Sequence, residues 1–213
     1  MADRNWKIRW LLKPVVFVAA LAPAAVLVWR IVHNDLGTNP VETLNRFTGD
    51  WTLRFLLITL AVTPLRRLSG WMPVMRLRRM LGLYAFFYAT LHFLSWIWIG
   101  QQFDVHEIVK DVIKRPYITV GFAAFVLLLP LAATSTNAMM RRLGGRRWQL
   151  LHRSVYVIGV AAIVHYWWLV KSDITQPAIY GAILTLLLGM RLYWAWQWRR
   201  LPVSPVARSK AGA

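Results

Sequence analysis

Residues 81–99 read LGLYAFFYATLHFLSWIWI, and residues 150–170 read LLHRSVYVIGVAAIVHYWWLV. Each stretch is close to the ~20 apolar residues needed to cross a hydrocarbon core about 30 Å thick. Each also contains histidine, an expensive side chain to place in lipid unless it faces a bundle interior, a cavity or a cofactor. The same pattern of apolar runs between basic clusters extends in both directions. It predicts six transmembrane helices, at 14–32, 48–65, 81–99, 117–134, 150–170 and 178–197. In the second of these Arg54 interrupts the run and Pro64 is expected to close it. The expected fold is an all-α polytopic membrane bundle, and residues 1–213 form one domain.

Composition agrees. Of 213 residues, 58% are apolar and 16% charged, against roughly 45–50% and about 25% in soluble domains. With no cysteine, disulfides, Cys-ligated clusters, thiol catalysis and covalent haem attachment are excluded. The net charge of +18 could indicate nucleic acid in a soluble protein, but here it has a topological order. Arg4, Lys7, Arg9 and Lys13 precede the first span. Arg66, Arg67, Arg76, Arg78 and Arg79 follow the second, Arg141, Arg142, Arg146 and Arg147 follow the fourth, and Arg199, Arg200, Arg208 and Lys210 follow the sixth. The alternate loops hold only Arg46, Lys110, Lys114, Arg115 and Lys171. Basic residues are retained on the cytoplasmic side, so both termini are expected there. The bilayer, including its anionic lipids, is the expected partner of the charge, not nucleic acid. Ala20-Leu21-Ala22 imitates a cleavage site, but the apolar run continues past it to Val32, so the first helix is read as retained. The loops 33–47 and 100–116 are too short to fold as enzymes.

Three of the five histidines lie within spans. His92 lies 13 residues past Arg79 and His165 lies 18 past Arg147, on helices that run the same way. At 1.5 Å per residue both imidazoles sit about 20 Å from the inner surface. Two imidazoles at one depth can ligate one iron from opposite faces. The residues alone also allow interior packing, a proton relay or another metal. The lack of any carboxylate in spans three to six favours haem over an ion-coupled transporter. His152 is about 20 Å nearer the cytoplasm than His165 and about 140° away around the helix, so it belongs to a different site. His33 and His106 are expected to be surface residues, and the tryptophans near the span ends to form an interfacial belt.

The segments RRMLGLYAFFYATLHFLSW, KRPYITVGFAAFVLL and TSTNAMMRRLGGRRWQLLHRSVYVIGVAAIVHYWW resemble the ferric-reductase-like transmembrane domain family, over roughly residues 10–200. The resemblance is nearest to its haem-binding subunits of bacterial periplasmic methionine sulfoxide reductase systems. It implies a multi-pass protein of the bacterial cell inner membrane that binds haem b and passes electrons to a periplasmic molybdopterin-containing reductase subunit. It also implies FMN, and a quinone or a cytosolic flavin reductase as electron donor. Larger relatives hold two haems with four histidines. Here Arg78 stands 14 residues before His92, where a second histidine of the third span would be expected. One haem on His92 and His165 is therefore favoured, with a second left open. Arg78, Arg79, Trp148 and His152 are the candidates for an inner site that would suit a flavin phosphate or a quinone. An electron-transfer subunit without a substrate site of its own is the leading reading. A stand-alone ferric-chelate reductase of the same fold and a non-redox transporter or assembly protein are the alternatives.

Overall fold

The computed structural model describes residues 8–200, and those residues contain helices and no strand. Arg4, Lys7, Arg208 and Lys210, which enter the charge argument, lie outside the described residues. A π-helical turn, Ile8–Leu12, leads into α1 (Lys13–Val32). Then follow α2 (Pro40–Ser69), a 3₁₀ turn (Met72–Arg76), α3 (Arg78–Leu94) and a π-helical turn (Ser95–Gly100). The chain continues through α4 (Val105–Lys114), α5 (Pro116–Ala133), α6 (Asn137–Leu143), α7 (Gly145–His152), α8 (Ser154–Leu169) and α9 (Thr175–Arg200). Four helical stretches are long and apolar enough to cross a membrane: Trp10–Val32, Arg78–Gly100, Pro116–Ala133 and Thr175–Arg200. The second predicted span holds Asp50 and Arg54 within its apolar run, and α8 has only 16 residues. A chain with these spans is a membrane protein.

Two pairs of helices make the frame. α2 lies along α3, and α5 lies along α8; α3 also meets α5, and α9 packs on both α2 and α8. The core between α2 and α3 is aromatic. The Phe55 ring stacks on Tyr88 at 5.2 Å and on Tyr84 at 5.6 Å between centroids. Tyr88 is fully buried, and its hydroxyl needs partners in an apolar interior. It donates to Ala20 O at 2.8 Å and accepts from Ala24 N at 3.1 Å. Those two atoms would otherwise bond to each other along α1, so the hydroxyl is inserted into the helix ladder beside Pro23. Tyr84 makes a parallel contact, donating to Phe17 O at 2.9 Å. In this way two tyrosines of α3 fix where α1 docks.

Pro64 does not close the second helix, contrary to the sequence expectation. Asn39 caps α2, its side chain accepting from Glu42 N, and Pro40 opens the first turn. The helix then runs through Pro64 to Ser69 and ends at Gly70, whose φ of +67° is the left-handed conformation a C-terminal glycine takes without penalty. Proline at 64 has no N–H, so the carbonyl of Leu60, four residues back, has no partner in its own helix. Arg191 of α9 supplies one: its Nη2 lies 2.6 Å from Leu60 O, and Nη1 lies 3.1 Å from the Tyr156 hydroxyl. The proline is tolerated because another helix satisfies the freed group.

This arrangement carries a prediction. Arg191→Ala leaves a buried carbonyl bare and is expected to destabilise the protein by about 1–3 kcal/mol. Pro64→Ala restores an N–H to the ladder, so in that background Arg191→Ala should cost distinctly less. Unfolding midpoints of the four detergent-solubilised proteins measure this coupling; equal losses in both backgrounds would refute it.

The fifth predicted span is also divided. α7 ends at His152, Arg153 intervenes, and α8 begins at Ser154. The expected loop at 100–116 contains a helix of its own, α4. Before α9, Asp173 accepts from Thr175 N at 2.9 Å, and this bonding to Thr175 holds its carboxyl below the usual carboxylate range.

Candidate functional site

His92 stands near the end of α3 and His165 near the end of α8, and the fold brings them together: their ring centres are 6.1 Å apart, with the planes at 75°. Each ring is oriented by a backbone carbonyl on a neighbouring helix. His92 Nδ1 donates to Asn45 O of α2 at 3.0 Å, with Thr48 Oγ1 3.4 Å away. His165 Nδ1 donates to Tyr117 O of α5 at 2.6 Å. A carbonyl can only accept, so Nδ1 carries the proton in both rings. Each Nε2 is then an available lone pair, and neither is hydrogen-bonded among the described residues. Fixing a ligand's tautomer through its other nitrogen is how metal-binding histidines are commonly held.

The rings are seated against glycines. A Cβ on Gly121 would lie 2.6 Å from His165 Nδ1 and 2.8 Å from its Cε1. A Cβ on Gly49 would lie 3.2 Å from His92 Cε1 and 3.3 Å from its Nδ1. The absence of a side chain at both positions is therefore what allows the rings their places. The start of the π-helical turn adds a polar link: the Ser95 hydroxyl lies 2.8 Å from His92 O and 2.9 Å from Asn45 Oδ1. Phe93, next to His92 in the chain, clusters with Phe122 and Phe125 of α5, the Phe93 and Phe125 rings stacked at 4.4 Å.

These residues fit a metal held between two imidazoles. With ring centres 6.1 Å apart, the two imidazoles are near enough to share one ion through their open Nε2 atoms. Among the described residues, no group of three or more His, Asp or Glu side chains gathers as a metal site. The donor set is two neutral imidazoles in an aromatic surround, which suits haem iron better than a metal that needs a full protein shell.

A polar cluster borders this pair on α2, α8 and α9. Arg54 Nε donates to the Tyr180 hydroxyl at 2.9 Å, its Nη2 is 3.8 Å from Asp50, and its guanidinium lies over the Trp51 ring. Tyr166 lies close to Asp50. Asp50 follows Gly49, and Tyr166 follows His165, so the cluster is tied to both ring seats. In the sequence Arg54 shows only as an interruption of the second span.

His152 belongs to a second group, as its angular offset predicts. Its ring stacks on Trp148 at 4.0 Å, and Trp148 Nε1 donates to Thr134 O at 2.8 Å. The Thr134 hydroxyl donates to Pro130 O at 2.6 Å, so toward His152 it accepts, and His152 Nε2, 3.1 Å away, is the donor. Unlike the other two histidines, His152 thus has its Nε2 occupied. Arg78, half-buried at the start of α3, is close enough for its charge to act on His152. Arg79 turns elsewhere and donates to Asn137 Oδ1 of α6. Of the inner candidates, the structure puts His152 and Trp148 in contact, with Arg78 in the same region. His33 is exposed, stacked on Trp29, and His106 is exposed at the start of α4.

The chain belongs to the ferric reductase-like transmembrane component family, whose profile matches residues 48–163. That stretch includes His92 and His152 and ends two residues before His165. Among its relatives is a protein-methionine-sulfoxide reductase heme-binding subunit MsrQ of Herminiimonas arsenicoxydans, 59% identical over 191 residues, covering 89% of this chain and 88% of the relative. A protein of the same description from Ralstonia nicotianae is 57% identical over 187 residues, 87% of this chain and 86% of the relative. Another, from Polaromonas naphthalenivorans, is 48% identical over 210 residues, 96% and 94%. No solved structure matches the chain.

Proposed function

We propose that this chain is the haem-binding, electron-transferring membrane subunit of a methionine sulfoxide reductase system. The observation that carries the reading is the pair of imidazoles, His92 and His165, each with Nδ1 committed to a backbone carbonyl and Nε2 available. The relatives' description as heme-binding subunits supports the same assignment. In this reading His92 and His165 hold one haem b. When bound, that group supplies a one-electron iron couple. The protein fixes the two rings through Asn45 O and Tyr117 O and seats them against Gly49 and Gly121.

The chain is read as six spans in the bacterial inner membrane with both termini in the cytoplasm. Support comes from seventeen basic residues on one set of loops against five on the other. α2 serves as the second span because Asp50 and Arg54 neutralise each other, and α7 with α8 serves as the fifth. The electron acceptor is a periplasmic molybdopterin-containing reductase subunit. The donor is a quinone or a cytosolic flavin reductase. The chain carries no substrate chemistry of its own. The inner group of Arg78, Trp148 and His152 holds the donor-side cofactor, for which FMN is the reading that the family resemblance favours. Arg78 suits a phosphate, which a guanidinium can grip with paired hydrogen bonds. His152 is a poor ligand for a second haem because its Nε2 is already bonded.

A reduced-minus-oxidised spectrum of the purified protein tests the reading directly: a b-type spectrum is expected, and its absence would refute it. In the same preparations, Arg78→Ala and His152→Ala should keep the haem and its reduction by dithionite, yet slow donor-driven reduction and lower flavin content. Loss of one of two haems in His152→Ala, with no flavin in the parent, would replace the inner flavin with a second haem.

A further inference from the structure

The outer segment α4 has an apolar side with no protein on it. On a helical projection, Ile108, Val112, Val105, Val109 and Ile113 occupy one arc, and His106, Lys110, Lys114, Glu107 and Asp111 occupy the other. Part of the apolar arc is used: Ile108 and Val112 are half-buried. The rest faces outward, with Val105 71%, Val109 50% and Ile113 74% exposed. These three residues recur every fourth position and form one stripe about 12 Å long at 1.5 Å per residue.

The position of α4 is fixed at both ends. It follows the end of one apolar helix at Gly100 by four residues and precedes the next, beginning at Pro116, by one. Asp104 caps its first turn, accepting from His106 N and Glu107 N. Asp111, only 6% exposed, accepts from Gln101 Nε2 at 2.7 Å and pairs with Arg115 at 3.0 Å. The Thr119 hydroxyl of α5 donates to Val112 O. With α3 and α5 crossing the membrane, α4 cannot leave the boundary where both of them end. The segment that leads into α4 also carries exposed aromatics. Trp98 and Phe103 are both exposed, and their rings lie 6.4 Å apart. Phe103 and Gln102 are held at positive φ, which costs a non-glycine residue of order 1 kcal/mol and reverses the chain so that the Phe103 ring rejoins Trp98.

We propose that α4 is an interfacial helix, lying in the plane of the outer membrane–water boundary with Val105, Val109 and Ile113 in the acyl–headgroup layer and Lys110 and Lys114 toward water. A short helix with separate apolar and polar faces, tethered at that depth and preceded by exposed Trp98 and Phe103, has the chemistry of a membrane-surface helix. Its lipid seating has a structural effect. Through Asp111, Arg115 and Thr119, α4 holds the start of α5, where Tyr117 O orients His165. This inference rests on the reading that α3 and α5 span the membrane.

The lack of native cysteine makes the test clean. Val109→Cys, Ile113→Cys, Lys110→Cys and Lys114→Cys are each labelled with a nitroxide in vesicles of phosphatidylethanolamine and phosphatidylglycerol. Leu186→Cys, at an exposed position within α9, reports the membrane reading itself. Collision rates are measured with oxygen, which concentrates in lipid, and with a water-soluble nickel chelate. Positions 109, 113 and 186 are expected to favour oxygen several-fold over positions 110 and 114. If 186 favours oxygen while 109 and 113 match 110 and 114, the interfacial assignment is wrong. It is equally wrong if 109 and 113 are water-exposed until the soluble reductase is added, since the stripe is then that protein's docking face. If 186 is itself water-exposed, the spanning reading fails first.

Discussion

Replacing either His92 or His165 with alanine is expected to remove most of the bound haem. Each imidazole is one of the two that would hold the haem in this reading, and each is oriented by a hydrogen bond to a backbone carbonyl. The loss should be read as pyridine-haemochrome content per protein on purified samples, because retained protein without haem separates ligation from folding. Adding free imidazole gives a second readout. In His92→Gly or His165→Gly the vacated volume admits imidazole, and a low-spin spectrum should return as it is titrated in. Full low-spin haem in both alanine variants would overturn the assignment. The same result in one variant would leave only the other histidine as a ligand and call for a substitute for the replaced one.

The second large effect is expected from a methyl group. In Gly121→Ala the new Cβ falls 2.6 Å from His165 Nδ1, and the atom it meets is the one that bonds Tyr117 O. The ring must move, and its alignment with His92 is lost with that bond. Overpacking of this kind costs about 1–3 kcal/mol, and here it acts on the ligand itself, so haem affinity should drop by roughly tenfold or more. Gly49→Ala presses on His92 at 3.2 Å and should be milder. Gly82→Ala, where the nearest neighbour is the Thr59 methyl at 3.6 Å, should be tolerated. Haem titration of the three apoproteins gives the ranking. Equal affinity in Gly121→Ala and the parent would mean that the glycine seat does not position the ring.

The two ring-bearing helices are legible in the sequence because depth is a simple count. Thirteen and eighteen residues past the basic clusters put His92 and His165 at one level, and the structure brings them to 6.1 Å. What holds them is not legible. Asn45 and Tyr117 act through backbone carbonyls, which every residue has, and Gly49 and Gly121 act by having no side chain. Neither kind of contribution leaves a chemical signature in a single sequence. α4 is different, since its signal is present: Asp104 is a good N-cap, and Val105, Ile108, Val109, Val112 and Ile113 follow helical spacing. Length and hydropathy alone pass over it. Pro64 misleads because the rule that proline ends a helix assumes that the freed carbonyl finds no partner. Here the partner is Arg191, far along the chain on the last helix, and only the tertiary structure joins them.

That pairing has a consequence for biogenesis. The chain is made from its N-terminus, so α2 enters the membrane well before α9 has been synthesised. During that interval Leu60 O has no donor from its own helix, and an unmet carbonyl in hydrocarbon costs several kcal/mol. Arg191 for its part would enter lipid without the acceptors, Leu60 O and the Tyr156 hydroxyl, that it has in the finished fold. The hydrogen bond between them gives Leu60 O its donor and one guanidinium nitrogen its acceptor. The last helix is therefore drawn to one place and one register along the second, and the bundle stays unfinished, with a polar scar facing lipid or translocon, until it arrives.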